Sequence, residues 1–368
     1  MKKLFSLLAV LLSITSHATI RTVCNTPATL AQYADIQTAI NASATGDTIY
    51  VQGSPNTYAG FTITNKKITI IGPGWAPNKN LPLKVTINSD CNINGTSSSG
   101  SELQGLVFAI STSVNIQSNI AINNIRMMRN HFSPSSRFIF SPGTATYSGY
   151  LFEGNYFNNA QILNQSPASN SLINFVFQNN IFLEDGSQVN GNIGSFNTCV
   201  NVLFNHNLFY GSASGGGGSR NVFSGTTCQF LTLTNNIFVH RNAANFGANN
   251  LFANNITLDA GDNTPWASNG NTNGGGNVSN QDPQMVDQAS VNNGVNNPLL
   301  DFTIAAGPAN NSGTDSKDMG LLFDAVGSLN WTSSRTSFLP YIYSMTIANP
   351  TIPAGGTLNV TVEARKDN

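Results

Sequence analysis

Apolar and polar residues alternate over short runs, as in Val202-Leu203-Phe204 and Leu231-Thr232-Leu233, while windows with helical spacing are almost absent. The pattern predicts short strands. It also recurs as a phrase: FQNNIF from Phe177 to Phe182, FNHNLF from Phe204 to Phe209, LTNNIF from Leu233 to Phe238 and FANNIT from Phe252 to Thr257. A related phrase runs from Leu151 to Phe157, and a weaker one, AINNIR, from Ala121 to Arg126. Aligning on the second Asn gives Asn124, Asn155, Asn180, Asn207, Asn236 and Asn255, with steps of about 31, 25, 27, 29 and 19 residues, a mean of roughly 26. Large apolar residues return in register three before that Asn (Phe152, Phe177, Phe204, Leu233, Phe252) and two after it (Phe157, Phe182, Phe209, Phe238), so they should stack as columns.

A repeat of this length built only from strands and Asn/Gly turns cannot form a helical array, because each unit lacks a helix. It can form the coils of a parallel β-helix. Asn tolerates the left-handed backbone of a tight turn, and its amide can bond to the equivalent Asn one coil above. Such a ladder satisfies buried amides without charge, whereas a column of ions would repel itself along the stack.

The first coils, from Tyr33-Ala34-Asp35-Ile36-Gln37-Thr38-Ala39-Ile40 through Gly46-Asp47-Thr48-Ile49-Tyr50-Val51 and Tyr58 to Ile68-Thr69-Ile70-Ile71-Gly72, resemble those of secreted proteins of the pectin lyase-like superfamily. So do the last ones, in Asp282-Pro283-Gln284-Met285-Val286-Asp287, Asp301-Phe302-Thr303-Ile304 and Asp318-Met319-Gly320. The resemblance covers about residues 30 to 325 and implies an all-β fold, a single-stranded right-handed parallel β-helix. Ile36, Ala39 and Ile40 lie on one face of a short helix that could cap the open first coil. After residue 338 longer alternation, Tyr341-Ile342-Tyr343 and then Leu358-Asn359-Val360-Thr361-Val362, predicts a C-terminal strand pair. The expected divisions are 1–18, a leader; 19–337, the β-helix with its caps; and 338–368, the β segment.

The leader reading rests on Lys2 and Lys3, the apolar run from Leu4 to Leu12, and Ser16-His17-Ala18, with cleavage expected after Ala18. An exported, soluble protein is expected, because no later apolar stretch reaches the roughly 20 residues that would span a bilayer, and a monomer is the expected state. Export permits disulfides among Cys24, Cys91, Cys199 and Cys228, whose spacing fits no zinc pattern. Cys199 and Cys228 each precede a repeating Asn by the same offset and should lie in one column a coil apart, bridged or not. Two segments, around Gly215 to Gly218 and from Asn269 to Asn280, have too little apolar content to pack and are expected to be surface loops.

Composition adds one thing. The chain holds about 53 Asn but only 9% charged residues, at a net charge of −1, and its 16 basic residues form no stripe of the kind that nucleic acid requires. Few charges make their placement informative. Four and five residues after the repeating Asn stand Met128 and Arg129, Glu184 and Asp185, His240 and Arg241, and Asp259 and Ala260. Arg129 and Arg241 could pair with sugar carboxylates, Glu184 and Asp185 could act as acid and base or hold calcium, and His240 could titrate near neutrality. The bland alternative is a set of solvated turn residues. Asp259 and Asp262 offer a weak calcium loop or a polar turn, and His206 and His131 read as turn residues as readily as bases.

The resemblance does not supply a catalytic set. Polygalacturonases carry Asn-Thr-Asp, Asp-Asp, Gly-His-Gly and Arg-Ile-Lys motifs, and pectate lyases carry clustered calcium-binding Asp residues and Arg-rich motifs, none of which occurs here. One further column, Ile125, Tyr156, Ile181, Leu208, Ile237 and Ile256, either turns inward at the Asn bend or runs outside as an apolar stripe suited to sugar faces or a partner. The expected function is binding of extended polysaccharide or a cell-envelope surface through a groove holding Arg129, Glu184, Asp185, His240 and Arg241. The alternatives are a polysaccharide lyase or hydrolase acting on acidic polysaccharide and a purely structural or adhesion module; calcium is the one cofactor that fits.

Overall fold

The computed structural model describes residues 18–27, 30–75, 83–184, 191–213, 221–297, 300–322, 341–347 and 360–365; the expected leader up to His17, Asp185 and the Gly215–Gly218 run lie outside them. The described chain winds into a parallel β-solenoid with three faces, sheets of twelve, eight and seven strands. One coil runs through Leu151–Glu153 on the first face, Tyr156–Asn158 on the second and Gln161–Asn164 on the third. The next coil repeats the path in register, Phe152 opposite Phe177 and Phe157 opposite Phe182.

The expected columns fill the core. Ring centroids of Phe152, Phe177 and Phe204 follow one another at 4.8 and 4.3 Å, and those of Phe157, Phe182, Phe209 and Phe238 at 4.9, 4.6 and 5.0 Å. These separations match the strand spacing, so the sheet geometry itself places the rings in offset stacks. The helix Ile36–Ala42, N-capped by Asp35, buries Ile36, Ala39 and Ile40 against the first coils, as the cap reading requires.

The ladder occupies the corner between the first and second faces. The residue before each ladder Asn has a left-handed backbone (Gly154, Asn179, His206, Asn235, Asn254), which turns the chain within two residues. The amides of Asn155, Asn180, Asn207 and Asn236 each donate to the next Asn Oδ1 and to a carbonyl of the preceding coil. Its first member needs correction. Asn130, not Asn124, donates to Asn155, because Met127 and Phe132 are the apolar residues in register with Phe152 and Phe157. At the other end the ladder runs on to Asn277, so the segment 269–280 is no packing-free loop: Thr272–Asn273 joins the first face and Asn277 accepts from Asn255.

The apolar stripe is external, and the chain covers it itself. Tyr156, Ile181, Leu208 and Ile237 belong to a second apolar cluster, separate from the core that holds their strand neighbours Phe157, Phe182, Phe209 and Phe238. Ordinary strand alternation is maintained through the bend. Met285, Val291, Phe302, Ile304, Met319 and Leu321 of the segment 283–322 close over the stripe. Left-handed corner residues hold that strap: Asn179 Oδ1 accepts from Leu322 N (3.1 Å), Asn235 Nδ2 donates to Thr314 Oγ1 (2.9 Å) and Asn254 Nδ2 to Ser312 O (2.8 Å). His206 is part of the same clasp, its Nδ1 donating to Gly320 O at 3.0 Å and its Nε2 lying 3.2 Å from Asp315.

With the register corrected, His131 rather than Ile125 occupies the stripe, next to Val107. Its ring packs against Tyr156 (4.8 Å) and Trp75 (6.4 Å), and Nε2 is buried without a hydrogen-bond partner. Burial, helped by Lys84, pushes its pKa down to about 3. Between the ordinary value near 6.5 and that value, the unfolded chain binds a proton that the fold refuses. Stability therefore falls as pH drops through this window, by about 1.4 kcal/mol per unit. Urea unfolding at pH 7 and at pH 4.5 should show wild type losing about 2–3 kcal/mol more than His131→Phe; equal losses would refute this burial effect.

The C-terminal residues form the expected strand pair, Tyr341–Ile347 antiparallel to Val360–Arg365, with an irregularity between Ile342 and Ser344.

Candidate functional site

The structure divides the charged residues that the repeat spacing suggested as one groove. Arg129 directly precedes Asn130, with φ of 54°, so correcting the register moves it to the corner between the first and second faces. There it joins the outward residues Glu102, Arg126 and Glu153: Arg126 lies 3.7 Å from Glu102, and Glu153 accepts from Gln178 at 2.9 Å. Glu102 is partly shielded from water, which raises its pKa, while Arg126, Lys67 and Arg129 oppose the rise.

Glu184, His240, Arg241 and Asp259 lie along the corner between the second and third faces, spread over successive coils. Two of them are inaccessible there. Glu184 is 1% and Arg241 0% exposed. Gly211 stands between them, and a Cβ on it would meet Glu184 O at 2.3 Å and Arg241 Cδ at 3.2 Å. Only glycine lets the arginine stem cross. Arg241 Nη2 donates to Asn192 Oδ1 at 2.9 Å and to Asn221 O, while Nε and Nη1 have no hydrogen-bond partner. Burial lowers its pKa to about 10, against the pull of Glu184, so it remains cationic at neutral pH. A ligand cannot reach this pair without the corner opening.

His240, nearly buried, and Asp259, exposed, line a shallow depression of about 370 Å³ with Ala213, Gly261 and Asn263. Asp262 does not join Asp259, because its carboxylate accepts from Thr264 N (2.8 Å) and Ser268 Oγ (2.6 Å) inside its own loop. Among the described residues no three His, Cys, Asp or Glu side chains gather as a metal site, and no helix is long and apolar enough to cross a membrane. Calcium therefore has no preformed cage among the described carboxylates.

Cys24, Cys91, Cys199 and Cys228 are all buried, and no disulfide joins them. Cys199 pairs with Leu172, whereas Cys228 pairs with Gly247 and accepts from Phe196 N at 3.3 Å. Burial raises the Cys228 thiol to about 12 and that of Cys199 higher still, which suits inert core groups rather than nucleophiles.

The larger depression is one the charged residues do not mark. A trough of about 540 Å³ follows the third-face strands Thr62–Thr64, Cys91–Asn94 and Ser113–Ile116 across three coils. Thr64, Asn65, Asn94, Thr96, Gln117 and Asn119 provide its polar lining. Backbone geometry fixes their presentation. Asn65 and Asn119 are left-handed, and the Asn65 amide lies where a Cβ on Gly95 would come within 1.9 Å of it. Gln117 Oε1 accepts from Gly95 N at 2.8 Å, which ties the second coil to the third. Every lining side chain is uncharged, and the polar ones both donate and accept, so the trough matches hydroxyl groups better than ions. Each residue alone reads as an ordinary turn Asn or Thr; the available signal was their return at the same coil end, Thr64-Asn65, Asn94-Gly95-Thr96 and Gln117-Ser118-Asn119.

Compared by sequence with models of known families and with curated proteins, the chain matches none.

Proposed function

We propose that this is an exported or cell-surface protein, a right-handed solenoid of the pectin lyase-like kind, that binds an extended, uncharged polysaccharide along its flank without cleaving it. The neutral three-coil trough carries the proposal. Coils repeat every 4.7–4.9 Å, so equivalent amides recur along the axis as hydroxyl groups recur along an extended sugar chain. Burial of Glu184 and Arg241 favours binding over catalysis, because a general acid or base must reach the proton that it moves. The resemblance of the first and last coils to pectin lyase-like proteins, and the leader-like start, support the compartment and the handedness.

Affinity electrophoresis tests this with hydroxyethyl cellulose and arabinoxylan as neutral probes and polygalacturonate as the acidic one. Neutral probes should retard the protein, with little change in 0.5 M salt. Asn94→Ala with Thr96→Val should weaken retention by about fivefold, equivalent to about 1 kcal/mol of lost polar contact. Salt-sensitive retention by polygalacturonate alone would move binding to the Glu102, Arg126 and Arg129 cluster, and release of reducing or unsaturated ends would replace binding with catalysis.

A further inference from the structure

A second left-handed column runs along the start of the first face, in the turns before it or within its strands: Asn124, Gly149, Asn174, Asn201, Phe230, Asn249 and Gly270, with φ between 54° and 74°. Six of the seven are Asn or Gly, the residues that tolerate this backbone. Phe230 is not, and its ring is 55% exposed. One coil further on Phe246 repeats the anomaly, with φ of 58° and 46% exposure, opposite Thr227 and three residues upstream of the Phe230 column. A Phe that is half exposed recovers only part of its burial, and a bulky residue at positive φ is strained. Two such residues at one corner therefore place strain where packing repays it only in part.

Their surroundings indicate the kind of ligand. Between the two rings lies a row of amides: Gln229 Nε2 donates to Asn197 Oδ1, and Asn249 Nδ2 lies 3.5 Å from Gln229 Oε1. Val200, 57% exposed, stands on the preceding coil. Apolar faces beside uncharged hydrogen-bonding groups complement a sugar ring, which has an apolar face of C–H groups and a hydroxyl rim. The trough lies on the same flank, in the turns from the third face to the first, four strand spacings away, about 19 Å along the axis. We infer that Phe230 and Phe246 form an aromatic platform that stacks on the ring faces of the neutral polysaccharide whose more N-terminal part lies in the trough. This inference rests on the proposed function and adds the residues that confer preference for a particular ring face.

The test uses Asn, which suits the left-handed backbone. Phe230→Asn and Phe246→Asn, each in the full chain, should melt at or above the wild-type temperature yet bind hydroxyethyl cellulose or arabinoxylan roughly tenfold more weakly. Wild-type retention by the Phe variants alongside weakened retention by Asn94→Ala would overturn the platform and leave the proposed function standing. A lower melting temperature in the Phe variants would make the rings structural and equally overturn it. Absence of retention in wild type would remove both readings; sedimentation showing a wild-type dimer that Phe230→Asn dissolves would assign the rings to a second copy of the chain.

Discussion

Asn180→Ala is expected to destabilise the solenoid by about 3–5 kcal/mol, among the largest single losses available outside the aromatic core. In the intact ladder Asn180 Oδ1 accepts from Asn155 N at 3.0 Å and from Asn155 Nδ2 at 2.9 Å. Its own Nδ2 donates to Phe152 O at 2.9 Å and to Asn207 Oδ1 at 3.0 Å. Truncation orphans two buried donors, one of them a main-chain N–H that cannot move, and each costs about 1–3 kcal/mol. Asn180→Asp keeps the acceptor but turns carboxylate oxygen toward two other acceptors and buries a charge. It should be worse than alanine at pH 7 and should recover as pH falls, because its folded pKa is raised and protonation restores one donor. The control is Asn124→Ala. Asn124 is exposed and outside the ladder, so only its left-handed backbone suffers, by about 1 kcal/mol. Equal losses at the two positions in urea unfolding would mean that the ladder register is wrong.

The same contrast shows what the sequence could reveal. Asn155 through Asn255 are legible because each is bracketed by large apolar residues in fixed register, and that bracketing is what positions a coil. AINNIR carries the Asn pair without the bracket, whereas Met127 to Phe132 carries the bracket without the pair, and packing follows the bracket. That single slip moved Arg129 into the wrong column. The strap over the outer stripe was not legible, because its contacts join residues far apart in sequence, as when Tyr156 OH donates to Asn296 Oδ1 at 2.6 Å. Local alternation identifies an outward apolar residue but not what will cover it. Composition misled at 269–280 for a related reason: a polar segment docks when its amides complete an existing ladder, and Asn277 does so.

Charge was the less reliable guide to the candidate site. Scarce ions suggest function when they share a column, yet Glu184 and Arg241 are both buried inside the corner, where the carboxylate opposes the fall in the guanidinium pKa. The groups that line the larger trough are neutral amides and hydroxyls, which resemble turn residues in sequence. Only the three-dimensional stacking of Thr64, Asn94 and Gln117 turns them into a surface.

Arg241→Met is expected to cost about 3–5 kcal/mol, since it removes the buried guanidinium's hydrogen bonds to Asn192 Oδ1 and Asn221 O along with its attraction to Glu184. Glu184→Gln should cost less, about 1–3 kcal/mol, because it removes the negative charge that favours a guanidinium whose Nε and Nη1 have no hydrogen-bond partner. The double variant, Arg241→Met with Glu184→Leu, removes both desolvated charges and fills their volume with apolar groups. It should recover most of the loss, ending within about 1–2 kcal/mol of wild type. Gly211→Ala supplies an independent check, because its Cβ would press on Glu184 O and displace the Arg241 stem without altering either charge. Guanidinium unfolding of wild type, Arg241→Met, Glu184→Leu and the double variant completes a thermodynamic cycle whose coupling should be about 1–3 kcal/mol. If Arg241→Met is neutral in stability and instead abolishes polysaccharide retention, the arginine is a ligand-binding group, and the corner must open in solution for it to act.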